Sequence, residues 1–294
     1  MKEDVYLIDA SIYIFKSYFS YGDEFVASDG APINAVYGFT RFLSQFIHQT
    51  KAKYIACCFD ESLETSFRNE IYPDYKANRE PAPPSLKRQF KLCQEVANIM
   101  GVATYRDGYY EADDLIGTLA QHFQAKEQPV YIISADKDLA QLIKDNDKWW
   151  NYGKDFPFSP ADVFEKFGVH PHQIADFLAL TGDSVDNIPG VPGIGAKTAG
   201  ILLNHFKTLD AIIARNQEIK YLSFRGAKSC QKKIANNIDA AKLAKKLTVI
   251  KQDIELDNFA LTRKELDSSR TIKLFEYLNF GPLLRRKILE VADI

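Results

Sequence analysis

The sequence has no apolar run that approaches the roughly 20 residues needed to span a membrane. Its first residues, MKEDVYLIDAS, contain only a short apolar run that includes an Asp, so we expect no signal peptide. The composition is 46% apolar and 26% charged, which excludes disordered and fibrous chains. These absences predict a globular protein of the cytoplasm, with no membrane partner.

Metal-binding and disulfide motifs based on cysteine or histidine are also missing. The sequence has four cysteines, none in a CxxC pair, and five histidines, none in an HExxH pattern. A zinc site, a disulfide framework and a zinc hydrolase are therefore disfavoured.

Acidic residues are scarce in one part of the chain, although the net charge is -2. Residues 215–251 contain ten Lys or Arg but only two acids. Such a separation of charge lets a chain with little net charge bind a polyanion.

Three short apolar runs have the length and composition of buried strands, at residues 5–8, 54–59 and 130–133. The segments between them, at about 34–49, 85–100 and 112–125, have the pattern of amphipathic helices. This alternation predicts an α/β fold with a twisted, mainly parallel sheet flanked by helices. Ligands of such sheets bind beyond the carboxyl ends of the strands.

The pattern becomes helical from about residue 160, and no internal repeat is evident. Predicted helices fill 160–167, 171–181, 208–216, 229–246 and 269–293. We therefore predict two domains, at residues 1–160 and 161–294.

Nine acids stand where the predicted fold brings chain ends together. They follow strands, begin the helix in YEADDLIG, or end a helix in GDSVDN; they are Asp9, Asp60, Glu111, Asp113, Asp114, Asp136, Asp138, Asp183 and Asp186. Singly, each has a simpler interpretation, since an acidic first turn suits the helix dipole and Asp is a common cap or turn residue. Together they would repel one another strongly unless a cation were bound.

Oxygen ligands alone favour Mg²⁺ or Mn²⁺, and this number of acids suits two or more ions. Two such ions support an in-line displacement at phosphorus, which makes phosphodiester hydrolysis the leading chemistry. With the nine acids set aside, the rest of the chain has an excess of basic residues.

A glycine-rich turn, GVPGIGAKTA, resembles a helix-hairpin-helix that we place within residues 183–205. Gly190, Gly193 and Gly195 allow backbone N–H groups to approach a phosphate, and Lys197 and Thr198 can add contacts. A Walker A loop is disfavoured because no strand precedes it, and a simple Gly/Pro turn stays open.

Residues 61–84 form a long connection that alternates cations with aromatic residues. Arg68, Lys76 and Arg79 interleave with Phe67, Tyr72 and Tyr75, a combination that suits single-stranded nucleic acid. The alternative is an ordinary solvated basic loop.

Six motifs resemble, in order and spacing, the 5′ nuclease family, which includes the flap endonuclease or 5′→3′ exonuclease domain of bacterial DNA polymerase I and its stand-alone relatives. They are LIDAS, CCFD, FRNEIYPDYKANR, YEADDLIG, ISADKDLAQL and GDSVDNIPGVPGIGAKTA. The resemblance extends over nearly the whole chain and keeps all nine acids.

The resemblance implies a PIN-like nuclease domain, a helical arch at 61–84 and a helix-three-turn-helix region. Asp9, Asp60, Glu111, Asp113 and Asp114 would form the catalytic metal set, with the other four acids in a second. Lys76 and Arg79 would act on the scissile phosphate, and Tyr75 would stack on a base. Backbone carbonyls near Val191 and Ile194 would hold K⁺.

It also implies a monomeric, nucleoid-associated enzyme of replication and repair that cleaves DNA at 5′ flaps, nicks or free 5′ ends. Two alternatives stay open at this point. One is a catalytically idle protein that binds DNA structures, and the other is a PIN-type ribonuclease.

Overall fold

The structure, a computed structural model, describes residues 2–61 and 66–291. Five parallel strands form a sheet in this part of the chain: β1 (Val5–Asp9), β2 (Tyr54–Asp60), β3 (Ala103–Asp107), β4 (Val130–Ile133) and β5 (Lys148–Trp150). Their spatial order is β3-β2-β1-β4-β5, so that β1 is central. The predicted parallel α/β sheet and its three apolar strands are confirmed.

Five α-helices lie in the described residues of the first half of the chain: α1 (Ala10–Ser20), α2 (Asn34–Thr50), α3 (Phe67–Ile71), α4 (Pro84–Ile99) and α5 (Ala112–Gln124). Alternate strand residues enter two separate cores. Cys57 faces the core with α1, α2 and α4, whereas Cys58 faces the core with α5. Both thiols are buried and free, as expected for a chain without a disulfide framework.

The remaining helices are α6 (Pro160–Phe167), α7 (Ile174–Thr181), α8 (Ala196–Phe206), α9 (Leu209–Ala214), α10 (Ala227–Ala235), α11 (Ile238–Thr248), α12 (Ser268–Tyr277) and α13 (Pro282–Glu290). Two predicted helices are each divided. The predicted helix 229–246 breaks at Asn236 and Asn237. The predicted helix 269–293 breaks at residues 278–281, and Pro282 begins a new helix.

The chain returns to the sheet domain after Ile250. The Ile55 amide donates to Leu261 O at 2.9 Å, and the Lys264 amide donates to Gly101 O at 2.9 Å. Helices α12 and α13 then pack in the same core as α2. The end of the predicted second domain, 161–294, therefore packs on the first, and its residues 292–294 lie outside the described part.

Within residues 2–61 and 66–291, no helix combines the length and apolar character that crossing a membrane requires.

Candidate active site

The carboxyl ends of the two central strands each carry an aspartate. Asp9 ends β1 and accepts hydrogen bonds from the Ile12 amide at 3.3 Å and from Ser134 Oγ at 2.8 Å. Asp60 ends β2 and accepts from the amide of Ala112, the first residue of α5, at 2.9 Å. The acidic start of α5 is thus bonded directly to the strand edge.

Four of the predicted ligands have raised pKa values: Asp9, Asp113, Asp136 and Asp138. Burial is the largest cause for each, and neighbouring carboxylates add to it. Burial, then the charge of Asp60, raises the pKa of Asp9 to about 7. Burial, then the charge of Asp136, raises the pKa of Asp138 to about 8. These acids face one another without enough positive charge to balance them.

Other predicted ligands are paired with basic side chains. Lys76 Nζ lies 2.6 Å from Glu111 Oε1. The pKa of Glu111 is lowered, because Lys76 and Arg68 together outweigh the opposing effect of burial. Lys137 donates to Asp183, whose pKa is also lowered because the Lys137 contacts outweigh burial.

Arg68 and Asp114 form a buried bidentate ion pair. Arg68 Nη1 and Nη2 donate to the two oxygens of Asp114 at 2.7 and 2.8 Å, and Arg68 Nε donates to Leu247 O at 2.8 Å. Asp114 is fully buried, and its Oδ1 also accepts from the Lys251 amide at 2.9 Å. The expectation that Arg68 contacts DNA is therefore corrected: its guanidinium lies inside the protein, where it joins α3, α5 and the end of α11.

Tyr75 is likewise turned inward. Its ring is 4% exposed, and its hydroxyl donates to Glu111 at 3.0 Å and to Asp186 at 3.1 Å. The ring is enclosed in this arrangement, so the stacking of Tyr75 on a base, which would require the ring to turn outward, stays a prediction. Arg79 is half-exposed and bonds to Asp186.

Residues 74–79 form a strap across the acid cluster. The Lys76 amide donates to Asp186 O at 2.9 Å, Asn78 Nδ2 to Ser184 O at 2.8 Å, and Asn187 Nδ2 to Asp74 O at 2.7 Å. Where an arch was predicted at 61–84, the structure has the short helix α3 and this strap. Residues 62–65 of the arch lie outside the described part.

In the described residues, no three Asp, Glu, His or Cys side chains are arranged to bind one metal ion together. Basic side chains explain the absence of such a group, because they already bind carboxylate oxygens of Glu111, Asp183 and Asp186. Even so, the donor set fits a hard divalent ion. All the ligands are oxygens, several have raised pKa values, and Asp138 Oδ1 is buried without a hydrogen-bond partner, with the Lys137 ammonium 3.4 Å away.

Two polar residues at the site were missed by sequence reasoning. Ser134 donates to Asp9, and Lys137 contacts both Asp138 and Asp183. Lys137 lies between two acids in SADKD, which is a detectable signal of a cation placed among carboxylates. A lone serine after a strand carries no comparable signal.

The predicted hairpin lies between α7 and α8. Val191 and Ile194 are buried, and the Val191 amide donates to Leu180 O at 2.9 Å. Gly195 caps α8, and the backbone at Gly193 and Gly195 is exposed, as are Lys197 and in part Thr198. The start of α8 is therefore at the surface, as phosphate binding requires.

We expect Gly190→Ala, but not Gly195→Ala, to destabilise the fold of this hairpin. A Cβ on Gly190 would lie 2.2 Å from the Gly182 nitrogen, so the variant should lose about 1–3 kcal/mol of stability. A Cβ on Gly195 would meet nothing within 4 Å. Thermal melts should show a lower Tm only for Gly190→Ala. Equal Tm values for the two variants would contradict the close approach at Gly190.

An acid-lined sheet edge beside a glycine-rich helical hairpin is the arrangement that we expect of an α/β nuclease. Residues 4–168 match the 5′-3′ exonuclease N-terminal, resolvase-like domain, and residues 169–269 match the 5′-3′ exonuclease C-terminal SAM fold. The chain belongs to this 5′-3′ exonuclease family and is a nuclease. The family resemblance of its motifs is thereby confirmed.

The 5′-3′ exonucleases of Aquifex aeolicus and of Buchnera aphidicola from Schizaphis graminum are similar along their whole length. The first is 36% identical over 96% of this chain and 94% of its own, and the second 35% identical over 92% and 93%. DNA polymerase I of Rhizobium leguminosarum is 35% identical over 99% of this chain, which spans 29% of that protein.

Solved structures share the fold. The T5 5′-exonuclease with bound divalent zinc has a TM-score of 0.67 at 20% identity, covering 99% of this chain and all of its own. The catalytic core of Rad2 in complex with DNA substrate has a TM-score of 0.65 at 14% identity, covering 99% and 92%. The predicted architecture is confirmed at this level.

Proposed function

We propose that the chain is a divalent-metal-dependent, structure-selective 5′ nuclease that leaves 5′-phosphate and 3′-hydroxyl ends. The observation that carries this proposal is the group of buried acids with raised pKa values at the sheet edge. The relatives described as 5′-3′ exonucleases and the neighbours with DNA and metal ions support it. Roles in replication and repair follow from the kinship with DNA polymerase I.

We propose Mg²⁺ as the natural ion, with Mn²⁺ as a substitute and two or more ions bound. The carboxylates best available to bind the ions are those with the least neighbouring positive charge, namely Asp9, Asp60, Asp113, Asp136 and Asp138. Glu111, Asp183 and Asp186 would join as their cation partners turn away. When bound, the ions supply Lewis-acid stabilisation of the charge that develops on the phosphate. We assign Asp114 to the support of Glu111 and α5 through Arg68.

Lys76 and Arg79 would then turn from the carboxylates to the DNA. Their side chains are 24% and 48% exposed, so both reach the solvent-facing side of the cluster. Once the negative charge of Glu111 and Asp186 is balanced, these two cations are free to bind and orient the scissile phosphate. Potassium at the hairpin stays a prediction; there, Lys233 Nζ donates to Gly193 O at 3.1 Å.

The test is cleavage of a 5′-labelled flap duplex with Mg²⁺, Mn²⁺ or EDTA, using blunt duplex and single-stranded RNA as comparison substrates. We expect metal-dependent cutting near the flap junction. No cleavage at any concentration of either ion would indicate an idle DNA-binding relative. Preferential cutting of the RNA would indicate a ribonuclease.

We expect Mg²⁺ to raise the Tm, and the increment to grow between about pH 5 and 8. Because the folded-state pKa values of Asp9 and Asp138 are raised to about 7 and about 8, the metal-free fold is favoured at low pH. That contribution is lost as the pH rises through these values. Glu111 and Asp183 have lowered pKa values, so they stabilise the fold above their ordinary pKa range. That stabilisation is lost only as the pH falls below this range, and it does not change between pH 5 and 8.

At 100 times the Kd, bound metal adds about 2.7 kcal/mol. Melts in EDTA and in MgCl₂ at pH 5, 6, 7 and 8 measure the increment, and a monovalent salt of equal ionic strength is the control. A metal-dependent increment that stays constant with pH would contradict the raised pKa values.

A further inference from the structure

A basic surface separate from the hairpin lies behind the acid cluster. An open pocket of about 800 Å³ is bounded by α3, by α11 and by the segment that follows α11. We call it the lysine pocket, after Lys242, Lys246 and Lys251, which line it together with Phe67, Ile71 and Val249.

The three lysines are exposed and form no ion pair with any described residue. Lys242 and Lys246 are four positions apart on α11, where like charges destabilise a helix. Lys245, between them, is different: it lies 3.0 Å from Asp176 and 2.9 Å from Asp210. Asp210 and Asp253 also line the pocket, so its four lysines leave an excess of positive charge rather than a purely basic surface.

The walls of the lysine pocket include exposed apolar groups. Ile71 and Val249 are each 39% exposed, and Phe67, which also lines the pocket, is buried. Ammonium groups beside an apolar surface fit an extended single strand, whose phosphates are neutralised while its bases lie against side chains.

The pocket and the acid cluster share one buried residue. Arg68 follows Phe67 in α3 and donates to Val249 O at 3.3 Å on the pocket side. The same guanidinium bonds to Glu111 and Asp114 on the other side. A strand bound in the pocket would therefore lie directly behind the wall of the acid cluster.

We propose that the lysine pocket binds the single-stranded 5′ part of a nucleic acid substrate. This assignment rests on the proposed nuclease function and adds to it a surface that distinguishes flapped substrates from those without a free single strand.

The test is the triple variant Lys242→Gln, Lys246→Gln, Lys251→Gln. Its control replaces three exposed lysines on α1, α4 and α12 that also form no ion pair with a described residue, Lys16, Lys91 and Lys273. Affinity for a fluorescent oligothymidylate is measured by anisotropy between 50 and 200 mM salt. Both variants carry the same change in charge, so that only the position differs.

We expect the pocket variant to bind the oligothymidylate about tenfold more weakly at low salt, with a slope of log affinity on log salt reduced by about 2. Its cleavage of flapped duplex should fall towards the rate for a nicked duplex without a flap, with Tm unchanged. An affinity and slope equal to those of the control variant would overturn the proposal. So would an equal loss of affinity for blunt duplex.

The two proposals can fail separately. If the unaltered protein does not cleave with either ion, the nuclease function fails, whereas the oligothymidylate titration still reports on the lysine pocket.

Discussion

Asp113→Asn should lower the rate of flap cleavage about a thousandfold while leaving the fold intact. Asp113 is partly buried beside Asp136 and Asp9, and its pKa is raised well above the ordinary value by loss of solvation and by those two charges. The amide removes the negative charge that we propose binds a divalent ion, and losses of about 10²–10³ follow from removing one group that stabilises a developing charge. Single-turnover cleavage at saturating enzyme measures the effect.

The same change relieves repulsion in the metal-free protein. We therefore expect the Tm in EDTA to stay equal or to rise, and the affinity for flapped duplex without divalent ions to be kept. Asp23→Asn, at an exposed position outside the site, controls for the change in charge. Full activity in Asp113→Asn would remove this residue from the set of ligands.

Asp114→Asn should instead destabilise the protein by about 3–5 kcal/mol, because it breaks a buried bidentate ion pair and leaves the buried Arg68 with Glu111 as its one acidic partner among the described residues. Both Asp114 oxygens are already engaged by Arg68, and one of them also by the Lys251 amide. Urea unfolding in EDTA measures the loss without any contribution from bound metal.

A double-mutant cycle identifies its cause. The cycle compares Arg68→Met and Asp114→Leu with the variant that carries both changes. Because the double variant lacks both charges, it should be more stable than the sum of the two single losses predicts. If Asp114→Asn melts like the unaltered protein but does not cleave, Asp114 acts as a metal ligand, and its assignment to support is wrong.

Only part of the difference between these two neighbours could have been predicted. Successive residues of a helix point about 100° apart, so Asp113 and Asp114 in the first turn of α5 point in different directions. The composition of YEADDLIG shows three acids but does not show which of them turns towards the sheet edge and which towards α11.

The strands were predictable where burial on both faces produces a continuous apolar run. That condition holds for β1, β2 and β4, and it placed Asp9 and Asp60 at the sheet edge. Burial on both faces is missing in β3, whose sequence ATYRD is partly exposed, and in β5, where two of the three residues are partly exposed. Both are edge strands, and their sequences carry little of the pattern that identifies a central one.

The roles of Arg68 and Tyr75 could not be predicted from their residue types. A cation beside an aromatic residue is equally compatible with a nucleic-acid contact and with an inward ion pair. The choice depends on the acids that lie opposite, 43 and 46 positions along the chain from Arg68, in another element. Distant partners of this kind are set by the tertiary fold rather than by local sequence.

The return of the chain to the sheet domain has a consequence for synthesis. Leu274, Phe275, Leu284 and Ile288 fill the core that contains α1, α2 and α4, so this core stays incomplete until α13 has been made. A ribosome would thus carry a first domain whose α1, α2 and α4 already cover this face of the sheet, but whose apolar surface opposite α12 and α13 stays exposed until those helices are made. The first domain cannot finish folding ahead of the second, as N-terminal domains usually do.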